Sequence, residues 1–284
     1  MMISITECPR DAMQGIKTFI PTERKIKYIQ SLVDVNFNTL DCGSFVSPKA
    51  IPQMADTQEV ISSLDLSKSS TKLSVIVANR RGAELACDVE NVHYLGFPFS
   101  VSEKFQQYNT NASREEGIER VKKILKVVDG TDKKPLIYIS MGFGNPYGEE
   151  WSTEMVENYV QQFIDMGIEH IKLSDTIGAA KEDDIAALFS HLIPKYPGIE
   201  IGAHFHTEYN SWFPKVNTAY ENGCRQFDGA IQGYGGCPMS KSDMVGNMPT
   251  EKLISFMNQK NLKTDMDLLA FESAFNKALT LFNI

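Results

Sequence analysis

Several features that would point to other classes of protein are missing from this sequence. Its 284 residues contain no long basic run and carry a formal net charge of −8, which argues against a nucleic-acid partner. No apolar run approaches the length that spans a bilayer, and the N-terminus resembles neither a signal nor a transit peptide. The five cysteines are scattered and form no CxxC pair. We therefore expect a cytoplasmic protein with no membrane or nucleic-acid partner.

The chain also lacks the glycine-rich nucleotide motifs, since neither GxGxxG nor a Walker A sequence occurs. It does contain a regular alternation of helix-like and strand-like segments. Residues 22–35, TERKIKYIQSLVDV, place apolar residues at helical spacing, whereas residues 71–78, TKLSVIVA, are rich in β-branched side chains. Eight such strand–helix repeats follow one another. This alternation predicts parallel strands joined by right-handed helical connections.

The number of repeats suggests how the strands are arranged. Eight repeats fit a closed (β/α)8 barrel, a fold that typically needs about 250 residues. An open doubly wound sheet is the alternative, but it usually carries a glycine-rich nucleotide loop after an early strand. No linker or shift in composition divides the chain. We predict an α/β protein with a single TIM-barrel domain over residues 1–284 and an extra C-terminal helix.

Polar residues of unusual chemistry follow several predicted strands. In a barrel of this type the active site lies at the carboxyl ends of the strands, so these residues would meet at one rim. An Asp at such a position is most often a helix N-cap, and an Arg is most often a surface ion pair. Their recurrence after several strands is harder to assign to chance. The residues are Arg10, Asp11, Asp41, Asp175, His204, His206, Cys237 and Asn247.

Two of the five histidines lie in one short stretch, GAHFHTEYN. Because strand side chains alternate between faces, His204 and His206 point the same way. Alone, the pair is equally well read as histidines on a wet strand face or in the core. With the carboxylate of Asp11 and the amide oxygen of Asn247, it forms a mixed set suited to a divalent ion. Mg²⁺ prefers oxygen ligands, whereas Mn²⁺, Zn²⁺ and Co²⁺ accept imidazole more readily.

Two further residues suggest the chemistry of such a site. Arg10 stands beside Asp11 and could stabilise the oxygen of an enolate. Cys237 lies in a glycine-rich loop, GYGGCP, where a thiol could act as a general acid or a nucleophile. Taken alone, however, Cys237 is more simply read as a free cysteine in a flexible loop.

These motifs together resemble the 3-hydroxy-3-methylglutaryl-CoA lyases. The matching segments run nearly the whole chain from residue 7, in the order ECPRDAMQ, IPTERKIKYIQSL, SFVSPKAIPQMAD, LSDTIG, AHFH and GYGGCP followed by GN. The SFVSPK segment and the GGCP loop are the most specific of them. The resemblance implies a (β/α)8 barrel that cleaves 3-hydroxy-3-methylglutaryl-CoA, or a close 3-hydroxyacyl-CoA, to acetyl-CoA and acetoacetate.

The resemblance also implies a metal site and a substrate site. Its divalent-metal ligands correspond to Asp11, His204, His206 and Asn247. The ion would be Mg²⁺ or Mn²⁺, with Zn²⁺ or Co²⁺ as alternatives. Arg10 corresponds to an arginine that binds substrate and stabilises the enolate of acetyl-CoA, and Gln14 to a glutamine that contacts substrate. The sequence leaves the oligomeric state open, a homodimer being one expected assembly.

Three more residues correspond to catalytic groups. Cys237 takes the place of the acid that protonates the carbanion of acetyl-CoA, while Asp41 and Asp175 correspond to catalytic acidic residues. The chain departs from the pattern at Asp41, where the family usually has Glu, and at Ala12, where it usually has Gly. Thr207 breaks a His-x-His-Asp-Thr pattern, and the interval between Cys237 and the following GN is a residue longer. These changes leave the metal set intact but admit a different hydroxyacyl substrate.

Other functions remain as alternatives. Metallohydrolases of the amidohydrolase type also use His-x-His, but after the first strand rather than the seventh. Acyl-CoA condensing enzymes of the same superfamily typically lack the Gly-Gly-Cys-Pro loop and add a C-terminal regulatory domain, for which the short stretch after the eighth repeat leaves no room. A related superfamily aldolase acting on another hydroxyacid is the main alternative. A binding protein that has lost catalysis is the last one, and the complete polar set argues against it.

Overall fold

The computed structural model describes residues 2–236 and 245–282. Eight strands form a closed barrel in which each strand is parallel to its neighbours, and the first strand pairs with the last. The strands, numbered β1 to β8, are Ser4–Glu7, Thr39–Ser44, Lys72–Ile76, Val92–Ser100, Lys134–Ser140, His170–Asp175, Glu200–Phe205 and Gln226–Gly229. The predicted TIM barrel is therefore confirmed.

Helices follow the strands and surround the barrel. In the described residues they are numbered α1 to α11 and comprise Pro9–Gln14, Thr22–Val35, Thr57–Ser62, Arg80–Cys87, Glu103–Thr110, Arg114–Val128, Thr153–Asp165, Glu182–Lys195, Trp212–Glu221, Thr250–Gln259 and Leu268–Phe282. Short 3₁₀ segments occur at Pro52–Met54 and Ile231–Gly233. The bounds of α2 are those predicted from its apolar spacing, whereas the short helices α1 and α5 were not predicted.

Local signals in the sequence explain several helix boundaries. The hydroxyl of Ser113 accepts from the backbone of Glu116 at the start of α6, and the Glu116 side chain accepts from Ser113 in return, which forms a capping box. At the start of α7 the hydroxyl of Ser152 accepts from the backbone of Met155. Helix α2 ends at Asn36, whose φ of 64° lies in the left-handed region that Asn tolerates.

The extra helix predicted at the C-terminus is α11, which packs against α2. Aromatic edges form part of this contact: Phe37 meets Phe271, and Tyr28 meets Phe282. Because α2 follows β1 and α11 follows β8, the two ends of the chain are held together on the outside of the barrel. Over the described part of the chain, no helix combines the length and apolar character needed to cross a membrane.

The barrel interior is more polar than the layer between the strands and the helices. The outer layer is filled by residues such as Ile5, Leu40 and Phe163, all buried. Lys172 on β6 and Asp228 on β8 meet each other although β7 lies between their strands, so they meet inside the barrel. Inward side chains in barrels of this fold are usually bulky and apolar. A charged interior therefore indicates a functional reason for its composition.

Candidate active site

Arg10 is held firmly at the upper end of the barrel, the end formed by the carboxyl termini of the strands. It lies on the short helix α1, directly after β1, and not at the end of the strand itself as the sequence predicted. Its Nε is 3.2 and 3.1 Å from the two carboxylate oxygens of Asp41, and its Nη2 donates to the same carboxylate. Its Nη1 donates to Asp11 at 2.8 Å and to Gln14 at 2.9 Å. The guanidinium is thus oriented by three side chains.

Asp41 serves as the bidentate partner of Arg10. The carboxylate is fully buried, and burial raises its pKa above the ordinary value although the charge of Arg10 opposes the shift. Gln14 completes the arrangement, because its amide nitrogen donates to Asp11 at 2.8 Å while its oxygen accepts from Arg10. Charge-assisted bidentate contacts of this kind fix direction as well as distance. Asp41, although short, therefore reaches Arg10.

Asp11, His204 and His206 form the cluster that the sequence predicted. One candidate ligand atom from each residue lies within 4.8 Å of the other two. Burial alone would raise the pKa of Asp11, but the charge of Arg10, together with both histidines and a hydrogen bond from Asn247, lowers it to about 2. Asp11 is therefore a carboxylate at neutral pH, as a metal ligand must be.

Both ring nitrogens of His206 are buried without a partner in the part of the chain that the structure describes. Among the described residues, neither ring nitrogen has a hydrogen-bond partner of normal geometry, the backbone of Thr176 being a polar neighbour. Burial, followed by the neighbouring His204, lowers the pKa of His206 to about 4. A buried, neutral imidazole without a partner is costly unless something binds it. These properties fit a metal ligand.

One ring nitrogen of His204 already has a partner within the protein. Its Nδ1 lies 3.1 Å from the Asp228 carboxylate, which leaves Nε2 for the cluster with Asp11 and His206. Burial lowers the pKa of His204, but the hydrogen bond and charge of Asp228 raise it above the ordinary value overall. Histidine metal ligands usually donate their other N–H to a carboxylate in this way.

Asn247 joins the site from the far end of the chain. It pairs with His206 in an isolated β-bridge, and its amide nitrogen donates to Asp11 at 2.7 Å and to the Tyr234 carbonyl at 2.8 Å. Since both amide hydrogens are used, the amide oxygen is the atom left to bind an ion. The backbone of Gly235 also lies close to Asp11: a Cβ at Gly235, where φ is 90°, would lie 2.6 Å from the Asp11 carbonyl oxygen.

Asp175 lies behind the cluster. Its carboxylate is 2.5 Å from Nζ of Lys215, which also donates to the main-chain carbonyl of His206 at 2.9 Å. The other oxygen of Asp175 accepts from the backbone of Ala180. Burial raises the pKa of Asp175 against the effect of Lys215. Asp175 thus supports the backbone of His206, and it does not line the cavity described next.

A cavity of about 160 Å³ opens beside the cluster. Its polar lining residues include Arg10, Asp11, Gln14, His204 and His206. Its apolar lining residues include Val46, Ile51, Ile76, Ala78 and Pro98. The sequence reasoning missed two further lining residues, Tyr138 and Ser174, whose hydroxyls are buried without a partner in the described residues. For Tyr138 the sequence signal is a hydroxyl inside the apolar run PLIYI, whereas Ser174, in HIKLSD, carries no comparable signal.

Cys237, the predicted acid, lies outside the described residues. The other predicted site residues are described, and all except Asp175 meet around Arg10, Asp11 and the two histidines.

The family model described as HMGL-like matches residues 3–277. The chain belongs to the HMGL-like family. Among HMGL-like relatives, a hydroxymethylglutaryl-CoA lyase of Bacillus subtilis is 30% identical over 266 residues, covering 94% of this chain and 88% of that protein. A hydroxymethylglutaryl-CoA lyase of Pseudomonas mevalonii is 30% identical over 262 residues, covering 92% of this chain and 86% of that protein.

A solved structure extends this similarity of the HMGL-like chain to three dimensions. An HMG-CoA lyase of Acinetobacter baumannii, in complex with coenzyme A and 3-methylmalate, superposes with a TM-score of 0.92 at 28% identity, covering 99% of this chain and 91% of that one. The predicted family resemblance is therefore confirmed.

Proposed function

We propose that this protein is a divalent-metal-dependent carbon–carbon lyase that cleaves 3-hydroxy-3-methylglutaryl-CoA to acetyl-CoA and acetoacetate. The observation that carries the proposal is the unpartnered His206 beside Asp11 and His204, in a cavity that also exposes Arg10. Membership of the HMGL-like family supports the same reaction class. The names of its lyase relatives supply the acyl-CoA substrate.

The metal would be held by Asp11, His204, His206 and the amide oxygen of Asn247. When bound, a divalent ion supplies Lewis acidity to a substrate hydroxyl and carbonyl. This mixed oxygen and nitrogen set suits Mg²⁺ or Mn²⁺, with Zn²⁺ or Co²⁺ as alternatives. The low pKa of Asp11 and the neutral state of His206 leave both as ligands that need no proton loss at neutral pH.

Arg10 would bind the thioester oxygen of the substrate and stabilise the negative charge that develops there as the bond breaks. Asp41 and Gln14 keep the guanidinium in one orientation, so that no reorganisation is needed when the charge appears. The unpartnered hydroxyls of Tyr138 and Ser174 could donate to the oxygens of the acyl group. The apolar wall would take its methyl group.

Protonation of the acetyl-CoA carbanion needs a general acid. We propose Cys237 for this role, because a thiol is a competent acid and Cys237 comes two residues after Gly235 in the sequence, where a Cβ would lie 2.6 Å from the Asp11 carbonyl oxygen. A serine in its place has nearly the same shape but is a far weaker acid. We expect Cys237→Ser to slow turnover by about tenfold to a thousandfold while metal content and thermal stability stay near those of the wild type. A Cys237→Ser enzyme with full activity would assign the proton to another group.

We also propose a cytoplasmic location, supported by the four free cysteines of the described chain.

The deciding experiment measures both products. Chelator-treated enzyme is incubated with 3-hydroxy-3-methylglutaryl-CoA and with other 3-hydroxyacyl-CoA thioesters, without metal and with Mg²⁺ or Mn²⁺. We expect acetyl-CoA and acetoacetate in equal amounts, only from the first substrate, and only with metal. Full turnover in chelator would overturn the mechanism, while faster cleavage of another thioester or hydroxyacid would overturn the substrate.

A further inference from the structure

A buried cation lies in the barrel interior below the metal cluster. Lys172 on β6 is 5% exposed, and its Nζ lies 3.0 Å from Oδ1 of Asp228 on β8. The contact is an ion pair without the alignment of a hydrogen bond. The other oxygen of Asp228, Oδ2, is 3.1 Å from Nδ1 of His204. The three side chains therefore form a continuous chain from the barrel interior to the rim.

The strand between Lys172 and Asp228 is shaped to let them meet. Gly202 on β7 is the register partner of Lys172. A Cβ at this position would lie 2.8 Å from both Cδ and Nζ of Lys172, which is closer than real contacts allow. The absence of a side chain at Gly202 thus gives the lysine its route across β7. The lysine, the glycine and the aspartate depend on one another.

The carboxylate of Asp228 lies between Lys172 and His204. Its Oδ1 faces the ammonium group of Lys172 at 3.0 Å, and its Oδ2 is placed at 3.1 Å to accept a hydrogen from Nδ1 of His204. An accepting carboxylate at Nδ1 fixes both the tautomer and the ring orientation, so that Nε2 faces Asp11 and His206.

Cys8, His204 and Asp228 also satisfy the distances of a metal site, with candidate ligand atoms within 4.8 Å of one another. The ammonium group of Lys172 already supplies the positive charge that Asp228 needs. The nitrogen of His204 that faces Asp228 is likewise occupied by that contact. This lower group is consequently satisfied by the protein itself, whereas the group around His206 is not.

We propose that Lys172 is a positioning residue for the metal site: acting through Asp228, it fixes the ring of His204 so that Nε2 points at the ion. The proposal rests on the metal site of the proposed function, but it concerns ion affinity and not turnover. Lys172 belongs neither to the group of Asp11, His204 and His206 nor to the lining of the upper cavity. Lys172 acts on the metal site indirectly, through the carboxylate of Asp228 and the imidazole of His204.

The first test replaces Lys172 with methionine, which has a similar length and no charge. Mn²⁺ affinity of the full chain is measured by calorimetry and by electron paramagnetic resonance. We expect the Lys172→Met protein to bind Mn²⁺ about 10- to 100-fold more weakly, the range found for partners of metal ligands. Unchanged Mn²⁺ affinity in a folded Lys172→Met protein would overturn the proposal. A wild type that binds no Mn²⁺ would overturn the proposed metal site as well.

A double-mutant cycle separates positioning from a general loss of stability. Removing one member of a buried ion pair destabilises a protein strongly, whereas removing both charges is often tolerated. The cycle therefore compares Asp228→Asn with the double variant that also carries Lys172→Met. We expect Asp228→Asn to weaken Mn²⁺ binding and the second change to add less than about twofold, because Lys172 acts only through Asp228. Additive losses would show that Lys172 acts by another route.

A measurement on the wild type needs no variant. The nitrogen shifts of His204 in the metal-free protein, labelled with ¹⁵N, report which ring nitrogen carries the hydrogen. We expect the hydrogen on Nδ1, facing Asp228. A wild-type His204 with its hydrogen on Nε2 would overturn the proposal even if every variant failed to fold.

Discussion

The two ends of the barrel differ in whether their polar groups have hydrogen-bond partners within the protein. The lower end, formed by the amino termini of the strands, holds a cavity of about 420 Å³, against about 160 Å³ at the upper end. At the lower end Glu200 is a paired group: its carboxylate is 3.0 Å from Nδ1 of His170 and accepts from Gln226 at 2.7 Å. At the upper end His206 and the hydroxyl of Tyr138 have no partner among the described residues.

This contrast shows that unsatisfied chemistry locates a site better than volume does. A buried polar group without a partner costs free energy, so it persists where a ligand completes it. A polar group that already has partners, as Glu200 does in His170 and Gln226, gains little from binding a ligand. The smaller, upper cavity is therefore the one where we place the reaction.

The largest expected effect comes from removing a histidine at each end in turn. His206→Ala should weaken Mn²⁺ binding by more than about 100-fold and abolish turnover, because a direct ligand matters more than the outer partners that account for 10- to 100-fold. The matched change at the lower end, His170→Ala, should leave both properties near those of the wild type. Calorimetry and steady-state kinetics on the two proteins test this. Loss of turnover in His170→Ala would remove the distinction between the two ends.

A smaller effect is expected at Asp41, which orients Arg10. Asp41→Glu inserts one methylene and should push the guanidinium by roughly 1 Å, a misplacement that can cost up to about 10²-fold in rate. Steady-state rates on a panel of 3-hydroxyacyl-CoA thioesters would show whether the preferred substrate changes with the rate. Equal rates for wild type and Asp41→Glu on every thioester would show that Asp and Glu are equivalent at position 41.

Glu7 is a buried group at the upper end that is fully paired, and it should affect stability only. It accepts from the backbone of Ile231 at 2.9 Å and contacts the Thr250 hydroxyl at 2.5 Å, while burial raises its pKa to about 8. Between pH 4.5 and about 8 the folded carboxyl keeps a proton that the unfolded chain has released. Stability due to Glu7 is therefore present at low pH and is lost as the pH rises through this range.

Glu7→Gln should remove that loss. The free energy of unfolding is measured in urea at about pH 5 and about pH 8 for both proteins. From the lower to the higher pH, the stability of Glu7→Gln relative to the wild type should rise by on the order of a few kcal/mol, since each pKa unit is worth about 1.4 kcal/mol. Turnover should not change. If the difference in free energy of unfolding between Glu7→Gln and the wild type is the same at both pH values, Glu7 is not protonated in the folded protein.

The smallest effect is expected from Glu200→Gln at the lower end. The Glu200 side chain is 51% exposed, and its hydrogen bond with His170 lowers its pKa to about 2. Because water screens an exposed pair, its loss should cost less than about 1 kcal/mol of stability. Thermal unfolding and Mn²⁺ affinity measure the two consequences, and the affinity should not move. Any loss of Mn²⁺ binding would mean that the lower end communicates with the upper one through Glu200.

The sequence predicted the elements whose signal repeats over many residues. Helix α2 was predicted with its observed bounds because four turns of apolar spacing define it. Helix α1, with six residues, is too short for a period to show, and its Arg-Asp pair was read as the end of a strand. Within the site, His204 and His206 were predictable because two residues on one strand face carry the signal.

The pairing of Lys172 with Asp228 was not predictable in the same way. It joins strands that are not neighbours, and it depends on the missing side chain at Gly202 between them. No pattern in the sequence links the lysine of HIKLSD to the aspartate of QFDG. Such contacts follow from the closure and register of the barrel, which only the folded chain provides.

The hydrogen bond between Asp11 and Asn247 has a consequence for how the protein is made. These residues are 236 positions apart, and they meet because β1 pairs with β8. A nascent chain that has not yet released Asn247 from the ribosome lacks one of the four proposed metal ligands, however well its first strands have formed. An ion that prefers the complete set favours the closed barrel over any partly wound intermediate. Binding the metal would then be the last step of folding as well as the first step of catalysis.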